Sequence, residues 1–164
     1  MLRFRQADKI CDTVACHSWY LQQLCYFIWS FTASEVTEEV FSLGLKQVLN
    51  INTPMFQNDT ESLSSTQIEM LKAIAHGEQH FSSQAVKQIY NLGNPNTIVK
   101  NKKTLQNKDI IEKEKENFAF VDPIYRLWFK QEYCWSSPYM LTNLTRSKLD
   151  FDWKSRSWAF AYII

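Results

Sequence analysis

The chain has 164 residues, enough for one to one and a half average domains. Its 18 Lys+Arg against 17 Asp+Glu leave a net charge of +1, so any attraction to nucleic acid must come from a local patch. A hydrophobic content of 45% with 15% aromatics excludes chain-wide disorder, and only three glycines (Gly44, Gly77, Gly93) exclude a P-loop and the Gly-x-Gly-x-x-Gly dinucleotide motif.

From the start, Met1-Leu2-Arg3-Phe4-Arg5-Gln6-Ala7-Asp8-Lys9 holds no apolar run suited to a signal peptide. Residues Leu2 to Val14 read as a weak amphipathic helix. A second helix is expected from a Ser18 cap to Phe31, apolar on nearly every side, and such a helix must be covered. Its most apolar part, Trp19 to Phe31, is 13 residues long, short of the roughly 20 that span a bilayer. No membrane partner is therefore expected. A third helix is expected over Thr37 to Asn50, with Val40, Phe41, Leu45, Val48 and Leu49 at helical spacing and Glu38 and Glu39 in its first turn, where the helix dipole favours acids. Thr53-Pro54 reads as the start of a short fourth helix.

A second unit begins near Ser64. Ser64-Ser65-Thr66-Gln67 has capping-box form, and its helix buries Ile68, Leu71, Ile74 and Ala75 before Gly77 stops it. Ser82 is expected to cap the next helix, with Ala85, Val86 and Ile89 inward and Gly93 at its end. Asn94-Pro95 opens a further helix, Asn at N-cap and Pro at N1, with Ile98 and Leu105 on its inner face. Lys102 falls on that same face, so its stem must snorkel or the helix packs loosely. A strand starts at Asp109-Ile110-Ile111, a charged turn follows at Glu114 to Asn117, and Phe118 to Val121 returns. Asp122-Pro123 caps a last helix carrying Ile124, Leu127, Trp128 and Phe129. Three helices and then a two-stranded ribbon is the winged helix-turn-helix order. The fold class is thus mainly α with a small β-wing. Beyond Cys134 no firm period remains, although Ala159 to Ile164 suits a strand.

Among chemical constellations, the basic cluster stands out. Asn94 to Lys115 holds six lysines and three acids, a local +3, whereas residues 1 to 93 sum to −3. Asn96, Thr97, Lys100, Lys103, Thr104 and Asn107 share the face opposite Ile98 and Leu105, and Lys113 and Lys115 lie on the wing. These side chains suit phosphates and base edges; the alternative is a solvated or protein-binding face. His76-Gly77-Glu78-Gln79-His80 is not a zinc-protease helix, because the Glu does not follow the first His and Gly77 breaks the helix. Cys11, Cys16, His17 and Cys25 lack Cys-x-x-Cys knuckles, so no metal site is assigned and the four cysteines, including Cys134, are expected as reduced thiols in a cytoplasmic protein. No nucleophile–base arrangement has a supporting context, and no catalytic residue is assigned.

The stretches Leu71-Lys72-Ala73-Ile74-Ala75-His76-Gly77-Glu78, Ile89-Tyr90-Asn91-Leu92-Gly93, Leu105 to Ile111 and Phe120-Val121-Asp122-Pro123, in this order after the capping box, resemble the C-terminal winged-helix domain of the archaeal-type P-loop ATPases, in the AAA-like/STAND class. Upstream, His17-Ser18-Trp19-Tyr20-Leu21-Gln22-Gln23-Leu24 and Val36-Thr37-Glu38-Glu39-Val40 resemble that family's small helical lid. The resemblance covers residues 1–132 and implies a lid-like segment over 1–62, a winged helix-turn-helix over 63–133, and an unassigned aromatic tail over 134–164. It implies a non-catalytic regulatory or interaction module, with an ATPase core in the same or another chain as partner and duplex DNA or a protein as a second partner. ATP and Mg would belong only to that absent core. In that class the lid turn approaches the bound adenine, so the resemblance implies His17 as the nucleotide-lid candidate, although this chain departs from the family's Gly-His-Pro there with Cys16-His17-Ser18. The rival readings are a free-standing winged-helix DNA-binding regulator and a truncated, non-functional gene product.

Overall fold

The computed structural model describes residues 4–115 and 117–134, all within one compact unit; the strand expected over 159–164 lies outside the described residues. Helices α1 (Phe4–Thr13), α2 (Ser18–Phe31) and α3 (Glu38–Glu61) come first. Then follow α4 (Ser65–Ala75), α5 (Gln84–Ile89), α6 (Pro95–Asn107), strands β1 (Ile111–Glu114) and β2 (Asn117–Phe120), and α7 (Pro123–Phe129), which runs into a π-helical turn at Lys130–Cys134. The strands pair antiparallel, Ile111 opposite Phe120 and Glu114 opposite Asn117. Among the described residues no helix is long and apolar enough to cross a membrane.

Helices α2 and α3 pack against each other. Tyr20, Leu24 and Ile28 meet a face of α3 that buries Phe41, Gly44 and Val48. Gly44 permits the close approach: a Cβ there would stand 2.9 Å from Ile28 Cγ1. Glycine is a poor helix former, so here its missing side chain outweighs its propensity. Helix α2 is only half covered. Trp19, Tyr26 and Trp29, opposite the face that packs on α3, remain 59–75% exposed, and Phe31 at the helix's end 43%.

Two expected helix boundaries are corrected. Residues 38–61 form a single helix with Pro54 inside it, rather than two helices meeting at Thr53. An internal proline removes one backbone donor and crowds the preceding turn. Here Asn52 Nδ2 donates to the Val48 carbonyl at 2.7 Å and Thr53 Oγ1 to the Leu49 carbonyl at 2.9 Å, while Phe56 and Thr60 beyond the proline are buried. Burying that downstream turn holds the helix together. At α2, the N-cap is His17 rather than Ser18, and its side chain makes no capping hydrogen bond.

The cysteine expectation is corrected too. Cys11 and Cys16 form a disulfide, and Cys25 and Cys134 are free. The cause is the turn that ends α1. Ala15 and Cys16 adopt left-handed backbone (φ 49° and 52°), and the Cys16 N–H donates to the Cys11 carbonyl at 2.7 Å. In this Schellman-type ending, the second residue past the cap folds back over the helix's last turn. The two cysteines occupy those positions, with Cα atoms 4.5 Å apart. The cysteines therefore no longer argue for a reducing compartment.

Helices α4, α5 and α6 end with the same backbone device. Gly77 (φ 83°) closes α4, with its N–H on the Ile74 carbonyl and that of Glu78 on the Ala73 carbonyl. Asn91 (φ 49°), not Gly93, closes α5, and Ser83, not Ser82, caps it by accepting from the Val86 N–H. With only six residues before the reversal, Val86, Tyr90 and Leu92 go inward while Ala85 and Ile89 stay exposed. Asp109 (φ 53°) closes α6.

The core is richest in aromatics where α3 meets α7. Phe56 packs on Tyr125 and Trp128 at ring distances of 5.2 and 5.6 Å, and Tyr125 on Phe120 at 5.8 Å. Burying each such side chain contributes about 1.5–3 kcal/mol. Thr60 Oγ1 spends its proton on the Phe56 carbonyl, so Tyr125 is the donor in their 2.7 Å hydrogen bond.

Asp122 ties the helical segment to the wing and α7. Its Oδ1 accepts from the backbone N–H groups of Ile124 and Tyr125 at 2.8 Å each, capping α7, and its Oδ2 accepts from the buried Tyr20 hydroxyl at 2.5 Å. Asp122→Ala should lower the unfolding free energy by about 2–4 kcal/mol, the loss of a cap plus a buried hydroxyl left unpaired. Asp122→Asn, which keeps an accepting oxygen, should cost less; urea titration measures both. Burial, then the Asp122 hydrogen bond and charge, hold the Tyr20 hydroxyl above its ordinary range, and burial pushes Tyr125 up to about 12. Their folded pKa values lie above the unfolded value of about 10, so this stability is present below pH ~10 and lost as pH rises beyond it. A Tyr20→Phe chain should lose less stability than the parent between pH 9 and 12.

Candidate nucleic-acid interface

Helix α6 is fixed by its own sequence and by one buried polar contact. Asn94 Oδ1 accepts from the Thr97 N–H at 2.8 Å, Pro95 occupies the first turn, and Ile98 and Leu105 are buried. Asn101, also buried, donates to Thr66 Oγ1 at 3.0 Å, joining α6 to the first turn of α4. At that turn the Ser64 N–H donates to Gln67 Oε1 at 2.9 Å, as the capping box requires.

The outer face carries Asn96, Lys100, Lys103 and Asn107, all exposed. Thr97 and Thr104 are half-buried and use their hydroxyl protons internally, on Asn94 Oδ1 at 3.1 Å and on the Lys100 carbonyl at 3.0 Å. They can accept from a ligand but have no free proton to give. Lys113 is exposed on β1, and Lys115 is exposed in the wing turn with left-handed backbone (φ 56°). His17 is not part of this face: it stands at the N-cap of α2 with its ring 4.9 Å from that of Tyr20. The face thus presents two exposed lysines on one helix and two on the adjoining wing.

The wing is held to the helices by contacts that the sequence pattern does not announce. Gln79, in the α4–α5 turn, pairs with the backbone of Phe118: the Phe118 N–H donates to Gln79 Oε1 at 2.9 Å, and Gln79 Nε2 donates back to the Phe118 carbonyl at 3.4 Å. The side-chain amide acts as a substitute strand along the free edge of β2. Lys102 supplies the second anchor. Its Nζ lies 4.6 Å from the Phe81 ring centre and 4.7 Å from that of Phe118. The lysine expected on the inner face does not loosen the packing: half-buried, it sits in a cation–π seat between α6 and the wing. Burial, and then the nearby Lys113 charge, pull its pKa down. Val99 is the residue the helical pattern missed. It is 66% exposed amid the polar face, and its only signal was an apolar residue at a solvent position.

Replacing Gln79 by Ala should unclamp the wing locally. Hydrogen exchange at Phe118 and Ala119 should quicken several-fold, while the urea midpoint shifts by no more than about 1 kcal/mol equivalent, the worth of an ordinary hydrogen bond. Lys102→Leu should keep the wing seated, because leucine stays in apolar contact with Phe81 and Phe118, and should leave stability within about 1 kcal/mol of the parent, the lost cation–π attraction offsetting relief of a partly desolvated charge next to Lys113; urea titration measures it.

Residues 54–131 match a family model described as "Probable winged helix domain". The match begins at Pro54, inside α3, and ends in the turn after α7, so it takes in the last turns of α3, all of α4 to α6, the wing and α7. Searches of curated proteins and of solved structures return no match. The helices, wing and family match agree that residues 54–131 are similar to a probable winged helix domain, in a chain that is mainly α with a small two-stranded sheet.

Proposed function

We propose that this chain is a non-catalytic DNA-binding module whose winged helix lays α6 in the major groove and sets the wing against the phosphate backbone. The observation that carries the reading is the charge distribution on the fold. Exposed Lys100 and Lys103 on the outward face of α6 and exposed Lys113 and Lys115 on the wing outnumber the wing's exposed Glu112 and Glu114, while residues 1–93 are net acidic. Lysines at phosphates position a protein without reading sequence, and their neutralising contacts release counterions.

A second reading has its own observation. The exposed Trp19, Tyr26 and Trp29 on α2 make an aromatic face on a helix without a single charged residue, a pattern that fits a protein contact. It supports the proposal that the helical segment docks on an ATPase core, in the same or another chain, with His17 toward bound nucleotide. In that arrangement ATP and Mg belong to the core, and the winged helix passes the nucleotide state on to DNA.

With about four lysine contacts, the slope of log K against log salt should be roughly −3 to −4. Lys100→Ala with Lys103→Ala should weaken binding to all duplexes to a similar degree and flatten the slope, with stability changed by no more than about 0.5 kcal/mol. Fluorescence anisotropy with duplex DNA at two salt concentrations measures this; absence of binding at low salt would refute the DNA reading and leave the protein-docking one. Alone, the chain should neither bind ATP at micromolar concentrations by calorimetry nor hydrolyse it above a heat-killed control.

A further inference from the structure

Val99 adds little to the core of the fold. A valine at a helix surface gives up helix propensity relative to lysine or alanine, and at 66% exposure it recovers little through burial. Its neighbours on the helix surface are Asn96, three residues before, and Lys103, four residues after, both exposed. Asn96 and Val99 therefore stand side by side on the outward face, separated by about 4.5 Å along the helix axis. One base-pair step is about 3.4 Å, so the two side chains address neighbouring base pairs.

Their chemistries match one kind of base pair. An asparagine amide offers a donor and an acceptor that fit adenine N7 and N6, and an apolar side chain in the major groove fits the thymine methyl group. Helix α6 carries no arginine, the commonest reader of guanine, and no Asp or Glu to accept from the cytosine amino group. The lysines on the same face are long and flexible enough to reach phosphates on either side.

We infer that α6 selects A·T base pairs, with Asn96 on an adenine and Val99 on the thymine methyl of the adjacent pair; this rests on the DNA reading above. The flanking Lys100 and Lys103 set affinity, and the Asn96–Val99 pair sets preference.

The test is selection by the 164-residue chain from a pool of duplexes with a randomised centre, followed by titration of the recovered sequence. The recovered site should contain adjacent A·T pairs, bound at least about fivefold more tightly than the same duplex with those pairs changed to G·C. Replacing the site's thymines by deoxyuridine removes only methyl groups and should weaken binding about fourfold. Val99→Ser, which replaces the methyl contact by a polar group, should abolish that thymine–uracil difference, and Asn96→Ala the preference for adenine, while both variants retain the helical circular dichroism and the salt-dependent background binding of the parent. Recovery of a G·C site, or equal affinity for the thymine and uracil duplexes, would overturn the inference and leave the DNA reading standing. Failure to bind any duplex at low salt would overturn both.

Discussion

The structure turns on one carboxylate. Asp122 sits where β2 ends and α7 begins, and its two oxygens face different parts of the molecule. One oxygen satisfies backbone donors that every helix start leaves unpaired. The other takes the proton of Tyr20, a residue 102 positions earlier in the chain. Because Tyr20 also belongs to the face of α2 that packs on α3, a single side chain fixes α2, the wing's return strand and α7 together. Alongside it the aromatic cluster of Phe56, Phe120, Tyr125 and Trp128 fills the space between α3 and α7. The carboxylate supplies direction, and the rings supply most of the burial energy.

The same economy governs the outward face of α6. Its inner side is locked by Ile98, Leu105 and the Asn101–Thr66 hydrogen bond, which leaves the opposite side without a structural task. The wing is only four residues per strand, too short to hold itself in water. It is steadied from outside by the Gln79 amide and by Lys102 between Phe81 and Phe118. A positively charged side chain thus works as mortar within the fold, while its neighbours Lys100 and Lys103 point to solvent. The basic cluster has two layers: one positions the wing, and the other is available to a partner.

The aromatic outer face of α2 sets a contrasting demand. Tyr20, Leu24 and Ile28 are covered within the chain, and the opposite side of the same helix displays tryptophan and tyrosine to solvent. Apolar surface of that kind is costly to leave wet and is a recognised mark of contact surfaces. The chain therefore presents two chemically distinct faces, one basic and polar on α6 and the wing, one aromatic and uncharged on α2. A module that couples two partners would use both.

Much of this was legible in the sequence because local rules decided it. Capping residues Thr37, Ser64, Asn94 and Asp122 and the period of Ile98 and Leu105 announce helix starts and the inner face of α6, since a cap and a 3.6-residue period depend only on neighbours along the chain. The alternation of Phe118 and Phe120 after a charged turn announces the wing. What tertiary structure decided are the places where distant residues override local preference. Pro54 reads as a helix start, yet the buried turn beyond it carries α3 through. Cys11 and Cys16 read as separate thiols, yet a left-handed turn at Ala15 folds one over the other. Asn91 adopts the left-handed conformation expected at Gly93, and Asp109 adopts it where a strand was expected to start, because the helices they end must reverse there to bury Leu92 and Ile110. Lys102 reads as a misfit on an apolar face until Phe81 and Phe118, from two other elements, form its seat. Periodicity assigns each residue a side of its own helix; only packing determines what waits on that side.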